Sequence, residues 1–153
     1  LAGGAKKVIS VDSSAKATAL ASENSALNGY NNHEIITDDV FDFLRNNQEE
    51  FDIVVLDPPA FAKHLSAVDK AVIGYRNLNV QGLKKIKQGG LLFTFSCSQV
   101  IDKHLFRKVI FQAAAQSGRN VRILHQLTQG ADHPISIYHP EGEYLKGLVL
   151  YVD

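Results

Sequence analysis

The strongest constraint on the fold is the way short apolar runs alternate with longer stretches of helical spacing. Residues 8–12 form a β-branched run that closes on Asp12. Residues 14–29 are Ala-rich and end in Asn28-Gly29, the signature of a helix C-cap. A second strand is predicted over 34–37. Residues 39–47 follow, with Val40, Phe41 and Leu44 at the spacing of a short amphipathic helix. Residues 51–57 are nearly all apolar, as expected of a parallel strand buried on both faces, and Pro58-Pro59 stops them. The spacing then predicts one long helix over 66–87, with Leu78, Leu83 and Ile86 on its apolar side. A turn at Gln88-Gly89-Gly90 and a buried strand over 91–96 come next. A further helix is predicted over 102–117, capped by Asp102 and closed by Ser117-Gly118. Such alternation gives an α/β fold: a parallel sheet with helices on both faces, binding ligands outside the carboxyl ends of its strands. The last two strands, 120–127 and 144–152, have only the loop 128–143 between them, which predicts an antiparallel hairpin at one sheet edge.

Composition narrows the function classes. A chain of 153 residues with 45% hydrophobic content suffices for one domain around one core. Sixteen basic residues balance sixteen acidic ones, so net charge does not point to a nucleic-acid partner, although a neutral total is compatible with a basic face. No apolar run approaches the ~20 residues of a membrane span. The opening residues lack the order of a signal peptide. Cys97 is the single cysteine, which excludes an internal disulfide and fits a reducing, cytoplasmic setting. The sequence has no methionine and opens on a strand pattern by residue 7, so it reads as an internal or C-terminal piece of a longer protein.

Four features with chemistry in them fall at predicted strand ends. Asp12 is placed to accept both ribose hydroxyls of a nucleoside cofactor, or, with Ser13 and Ser14, to cap the next helix. Asp38-Asp39-Val40-Phe41 offers an acid for the exocyclic amine of adenine and apolar side chains for its ring, with capping again the alternative. Two acids at successive strand ends suit the two halves of one adenosine. Asp57 opens the run Asp57-Pro58-Pro59-Ala60-Phe61-Ala62-Lys63, whose prolines stiffen the turn and hold the carboxylate in place. Ser96-Cys97-Ser98 offers either a structural cysteine or a thiolate able to attack an electrophilic carbon.

The motifs LDPPAFAK at 56–63, FSCS at 95–98, DHP at 132–134 and PEGEYLKG at 140–147 together carry a resemblance. The chain resembles class I S-adenosylmethionine-dependent methyltransferases. Within them it is similar to the bacterial ribosomal RNA large-subunit methyltransferase I family, 5-methylcytosine enzymes with an N-terminal RNA-binding PUA domain. The resemblance covers essentially all 153 residues. It implies a Rossmann-like, mostly parallel sheet and S-adenosyl-L-methionine as cofactor. The partner it implies is ribosomal RNA of the large subunit; a homodimer is left open. Residue by residue, it implies that Asp12 and Ser13 hold the cofactor ribose and that Asp39 and Val40 hold the adenine. Asp57 would touch both cofactor and target base, Cys97 would be the nucleophile, and Pro58, Pro59, Phe61 and Lys63 would line the substrate site. Phe61 and Tyr138 are candidates to stack on the base, core packing being the alternative for Phe61. Lys63 and His64 are candidates for RNA phosphates, and Lys84, Lys85 and Lys87 read as a solvated helix face.

The implied chemistry follows from the poor nucleophilicity of cytosine C5. Addition of the Cys97 thiolate to C6 makes C5 enamine-like, while a hydrogen bond or proton from Asp57 near N3 stabilises the charge that develops there. Loss of the C5 proton then expels Cys97. Many related RNA enzymes use a second cysteine for release, but Ala60 and Phe61 occupy the corresponding stretch here, so the proton-removing base stays unassigned. The family's first strand and its Gly-rich loop are not visible, Gly3-Gly4 reading as the end of the first helix. The expectation is therefore a partial catalytic domain over 1–153 that binds cofactor weakly or not at all by itself, which calorimetry tests. Two other readings stand beside this one. In a base N-methyltransferase of the same fold Cys97 would be dispensable, and in a non-catalytic RNA-binding or assembly module both Asp57 and Cys97 would be.

Overall fold

The computed structural model describes residues 1–153, which divide into two compact units, Leu1–Gln48 and Glu49–Asp153. In the first unit, strands β1 (Val8–Asp12) and β2 (His33–Thr37) pair in parallel, from Val8 opposite His33 to Asp12 opposite Thr37. Helix α1 (Ala15–Leu27) is the crossover between them. Ser14 caps it by accepting from the Ala17 N–H at 3.3 Å, and Gly29, at φ 69°, takes the left-handed turn after it. The buried residues of α1 are polar, Thr18 and Ser25. Thr18 Oγ1 lies 2.7 Å from Thr37 Oγ1, and the His33 ring sits between Ser10 Oγ (2.8 Å) and Ser25 Oγ (2.5 Å). Hydroxyls and an imidazole thus tie α1 to its strands, while Leu20 and Leu27 are exposed. Helix α2 (Val40–Asn46) closes the unit and buries Leu44.

The second unit is built on a four-stranded sheet of order β3-β4-β6-β5. Its strands are β3 (Phe51–Leu56), β4 (Ile86–Ser96), β5 (Val121–Leu127) and β6 (Lys146–Val152). β3 and β4 are parallel, and β6 runs antiparallel to both β4 and β5. The predicted terminal hairpin is present, with β6 inserted inward and β5 left at the edge. Helices α3 (Val68–Lys84) and α4 (Lys103–Ser117) pack on each other, joined by an edge-to-face contact of Tyr75 and Phe106 with ring centroids 5.8 Å apart. Asp102 caps α4 by accepting from the Leu105 N–H at 2.6 Å, and Gly118 terminates it at φ 72°. No helix is long and apolar enough to cross a membrane.

Several expectations change. The long helix predicted over 66–87 is a 3-10 turn at Leu65–Ala67 followed by α3, which stops at Lys84. Ile86, assigned above to the helix, begins β4 opposite Phe51 and is fully buried there. Lys87 accordingly lies on a strand and pairs with Asp52 at 3.0 Å. The Gly89-Gly90 turn lies inside β4: between the pairs Phe51–Ile86 and Ile53–Leu91, β4 advances five residues while β3 advances two. Glycine permits this irregularity, because Gly89 has φ 80° and a Cβ at Gly90 would sit 2.7 Å from the Asp52 carbonyl oxygen.

β3 is also not buried on both faces. Val54 and Leu56 share a face with Leu92 and Thr94 through the strand register, and Leu56 meets α3 at Gly82. The same face continues into Leu148, Leu150 and Val152 of β6, all buried. On the opposite face Ile53 and Val55 remain 56% and 61% exposed. With α3 and α4 packed together, helices on both faces are not realised within this unit. Strand hydrophobicity marks the inner face of such a sheet, and by itself does not show what covers the outer one.

Candidate active site

Parallel pairing of β3 and β4 delivers two of the predicted residues to one rim. Leu56 is level with Thr94, so Asp57 leaves the end of β3 as Cys97 leaves the end of β4. Asp57 is exposed, and Pro58 and Pro59 carry the chain away from the sheet. The Cys97 thiol, half-buried, faces the Pro58 carbonyl oxygen at 4.0 Å. The sulfur is thus not sealed in the interior, and it lies against the residue that follows Asp57.

The serine after Cys97 joins the two loops. Ser98 is fully buried, and its hydroxyl accepts from the Ala62 N–H at 3.2 Å and lies 2.9 Å from the Tyr75 hydroxyl. One side chain therefore anchors the Asp57–Lys63 segment, the Cys97 loop and α3 together. Phe61 is half-buried, its ring centroid 4.6 Å from that of Tyr75 and its edge close against Gly74. Lys63 and His64 are exposed, and Tyr138 is exposed on the 128–143 loop.

Sequence reasoning missed Lys146. It begins β6 directly opposite Ser96 and is only 5% exposed. Its ammonium donates to the carbonyls of Ser96 (3.3 Å), Ser98 (2.8 Å) and Tyr144 (2.7 Å). Burial pulls this ammonium below the ordinary lysine value of 10.5; charges on Cys97 and Asp102 oppose that shift, and Lys103 adds to it. The signal was present in the sequence. In KGLVLYV the inward positions are 146, 148, 150 and 152, so a lysine stands where the strand otherwise places Leu, Leu and Val. The adjoining loop is held by Gln99 Nε2 donating to the Glu141 carbonyl at 3.1 Å and by an ion pair of Lys103 with Glu143. A cleft of about 340 Å3 opens there, lined by Gln99, Asp102, His104, Glu143 and Lys146 among others.

In the first unit, Asp12 and Asp39 follow adjacent parallel strands, and both are exposed. Both also do local work. Asp12 Oδ1 accepts from the Ser14 N–H at 2.7 Å, and Asp39 Oδ1 accepts from the N–H groups of Phe41 (2.8 Å) and Asp42 (3.3 Å) as the cap of α2. Each uses one carboxylate oxygen in this way and leaves the other open, so capping and ligand binding are compatible at both. These acceptors fit a nucleoside whose ribose diol and exocyclic amine donate. Ser13 is exposed and Val40 half-buried beside them.

Residues 1–88 match the family profile described as conserved hypothetical protein 95. The chain is similar to the ribosomal RNA large subunit methyltransferase I of Alteromonas mediterranea, with 44% identity over 99% of this chain and 40% of that protein. It is likewise similar to the protein of that name from Aeromonas salmonicida, with 43% identity over 98% of this chain and 39% of the relative. The chain thus spans about two fifths of the length of these relatives. Among solved structures it is similar to SMU.776, a protein assigned as a methyltransferase and complexed with SAH. There the TM-score is 0.83 and the identity 25%, over 98% of this chain and 40% of the other.

Proposed function

The chain belongs to the conserved hypothetical protein 95 family, and from that premise we propose that it carries the catalytic machinery of an S-adenosylmethionine-dependent methyltransferase forming 5-methylcytosine in large-subunit ribosomal RNA. The observation that carries the reading is the meeting of the Cys97 thiol with the Asp57-Pro58-Pro59 turn on one sheet rim. The names of the relatives support the substrate class, and the SAH bound to the related structure supports the cofactor.

In this reading Asp12, with Ser13, accepts the ribose hydroxyls of the cofactor, and Asp39, with Val40, receives the adenine amine. The cofactor, when bound, supplies an activated methyl group to C5. Cys97 adds through sulfur to C6 of the cytosine, forming an S–C6 bond and pushing electron density onto C5. A hydrogen bond or proton from the Asp57 carboxyl reaches N3 of the ring and offsets the negative charge that develops there. After methylation the C5 proton leaves to a base, the C5–C6 double bond re-forms and the S–C6 bond breaks, returning the thiolate. The stiff Pro58-Pro59 turn and the Ser98–Ala62 bond keep the Asp57 and Cys97 loops in fixed register during these steps. Phe61 supports this wall from within by packing on Tyr75, and Lys63 meets the RNA backbone. The target base leaves its stack to reach the rim.

The test is mass spectrometry of ribosomal RNA from cells that lack the full-length protein and are complemented with wild type, Cys97→Ala or Asp57→Asn. Loss of one 5-methylcytosine, restored by wild type alone, is expected. Restoration of the 5-methylcytosine by Cys97→Ala would overturn the covalent reading, loss of an N-methylated base in place of 5-methylcytosine would show nitrogen methylation, and restoration by both variants would show that neither side chain takes part in the chemistry.

A further inference from the structure

A lysine is a costly choice at an inward strand position, because its ammonium leaves water for the protein interior. The neighbouring inward positions show that apolar residues serve β6 well. The ladder does not need the ammonium either, since Ser96 and Lys146 already pair through the antiparallel strand register. What the side chain adds lies past the end of β4: its 2.8 Å bond reaches the carbonyl of Ser98, on the far side of Cys97. With its bond to Ser96 on the near side, Lys146 grips the chain on both flanks of the only cysteine. Its third N–H goes to Tyr144, so all three donors are occupied by carbonyls and no lone pair is left to accept a proton.

We infer that Lys146 is a positioning residue for Cys97: the buried ammonium locks the peptide units on either side of the sulfur and sets a fixed positive charge beside it. The inference rests on the reading of Cys97 as nucleophile, and it also gives the EYLKG segment a task at the same rim. It predicts that the geometry of the thiol, and with it the rate of attack, depends on a residue on a different strand.

The experiment uses the full-length protein carrying Lys146→Met, which keeps the stem and removes the donors and charge, or Lys146→Gln, which keeps two donors and removes the charge. Two quantities are measured: the rate of Cys97 carboxamidomethylation by iodoacetamide, located by peptide mass spectrometry, and kcat and KM with ribosomal RNA. For Lys146→Met, alkylation is expected to slow about ten-fold, as thiol reactivity follows local positive charge. Its kcat is expected to drop about a hundred-fold, the scale of a misplaced reacting group, with KM little changed. Lys146→Gln is expected to fall between Met and wild type in kcat. A folded variant of either kind with unchanged or faster alkylation and wild-type kcat overturns the inference, as does a loss confined to KM. If neither variant folds, the unmutated protein decides through the 15N signal of the Lys146 ammonium. That signal is expected to move when Cys97 is alkylated, and a stationary signal overturns the inference. Cys97→Ala with intact methyl transfer would defeat the proposed function alone, leaving the alkylation rates to judge Lys146.

Discussion

Replacing Ser98 by alanine removes one oxygen that two buried groups share. Ser98 is 0% exposed, its hydroxyl accepts from the Ala62 N–H at 3.2 Å, and it pairs with the Tyr75 hydroxyl at 2.9 Å. In Ser98→Ala both groups are stranded. A buried donor left without a partner costs about 1–3 kcal/mol. The Tyr75 hydroxyl rotates to relieve part of its share, so the expected loss is about 2–4 kcal/mol. Tyr75→Phe keeps both ring contacts, to Phe61 and Phe106, and leaves Ser98 bonded to Ala62; it should cost about 1 kcal/mol. In the double variant the phenol is no longer there to be stranded, so the combined loss should fall short of the sum by about 1 kcal/mol. The assay is urea unfolding of all four proteins followed by far-ultraviolet circular dichroism, since the chain has no tryptophan to report fluorescence. Additivity within about 0.3 kcal/mol would refute the reasoning, because the 2.9 Å contact would then carry no energy of its own. A Ser98→Ala loss below about 1 kcal/mol would refute it too, by showing that water reaches the Ala62 N–H.

The other predictions concern β4 and β6. Gly90→Ala should destabilise by about 3 kcal/mol, the upper end for overpacking, because the new methyl meets the Asp52 carbonyl at 2.7 Å and a backbone oxygen has no rotamer to escape into; a melting temperature equal to wild type would refute this. Lys146 should make stability rise with pH. Its folded value lies below 10.5, so between the two the unfolded chain holds a proton that the folded chain has released, and unfolding free energy increases through that window. Below the window the full cost of the buried charge is present. Urea unfolding of wild type and Lys146→Met from pH 7 to 10 checks it, parallel pH profiles being the refuting result.

The elements that sequence reading placed well are those with local punctuation. Ser14, Asp39 and Asp102 cap their helices where the following periodicity begins, and Gly29 and Gly118 end two of them. The boundary near residue 85 was lost because Leu83 and Ile86 fit a helical stripe as well as they fit a helix end followed by a strand. Only the pairing of Ile86 with Phe51, 35 residues away, decides between the two. The placing of Cys97 beyond β4 and Asp57 beyond β3 was legible, since strand ends share a rim in parallel neighbours. The bonds that join their loops were not. Ser98 to Ala62 spans 36 residues, and no local pattern distinguishes a linking serine from a solvated one. Lys146 was half legible: its inward register could be counted, but the three carbonyls that make it tolerable come from chain segments that only the fold assembles.

The inserted position of β6 sets an order of events during synthesis. β4 and β5 are made first, yet each pairs with β6 and not with the other. At about 5–20 residues per second of translation, the ribosome leaves the β6-facing edge of β4 unpaired for some seconds. Such an edge is a template for pairing with other chains. The lysine bonds to Ser96 and Ser98 bridge 50 and 48 residues, so they form only as that edge is filled. A nascent chain stalled before residue 146 would therefore hold its cysteine loop through Ser98 alone, and the strand that closes the open sheet edge is the same one that brings the lysine bonds to that loop.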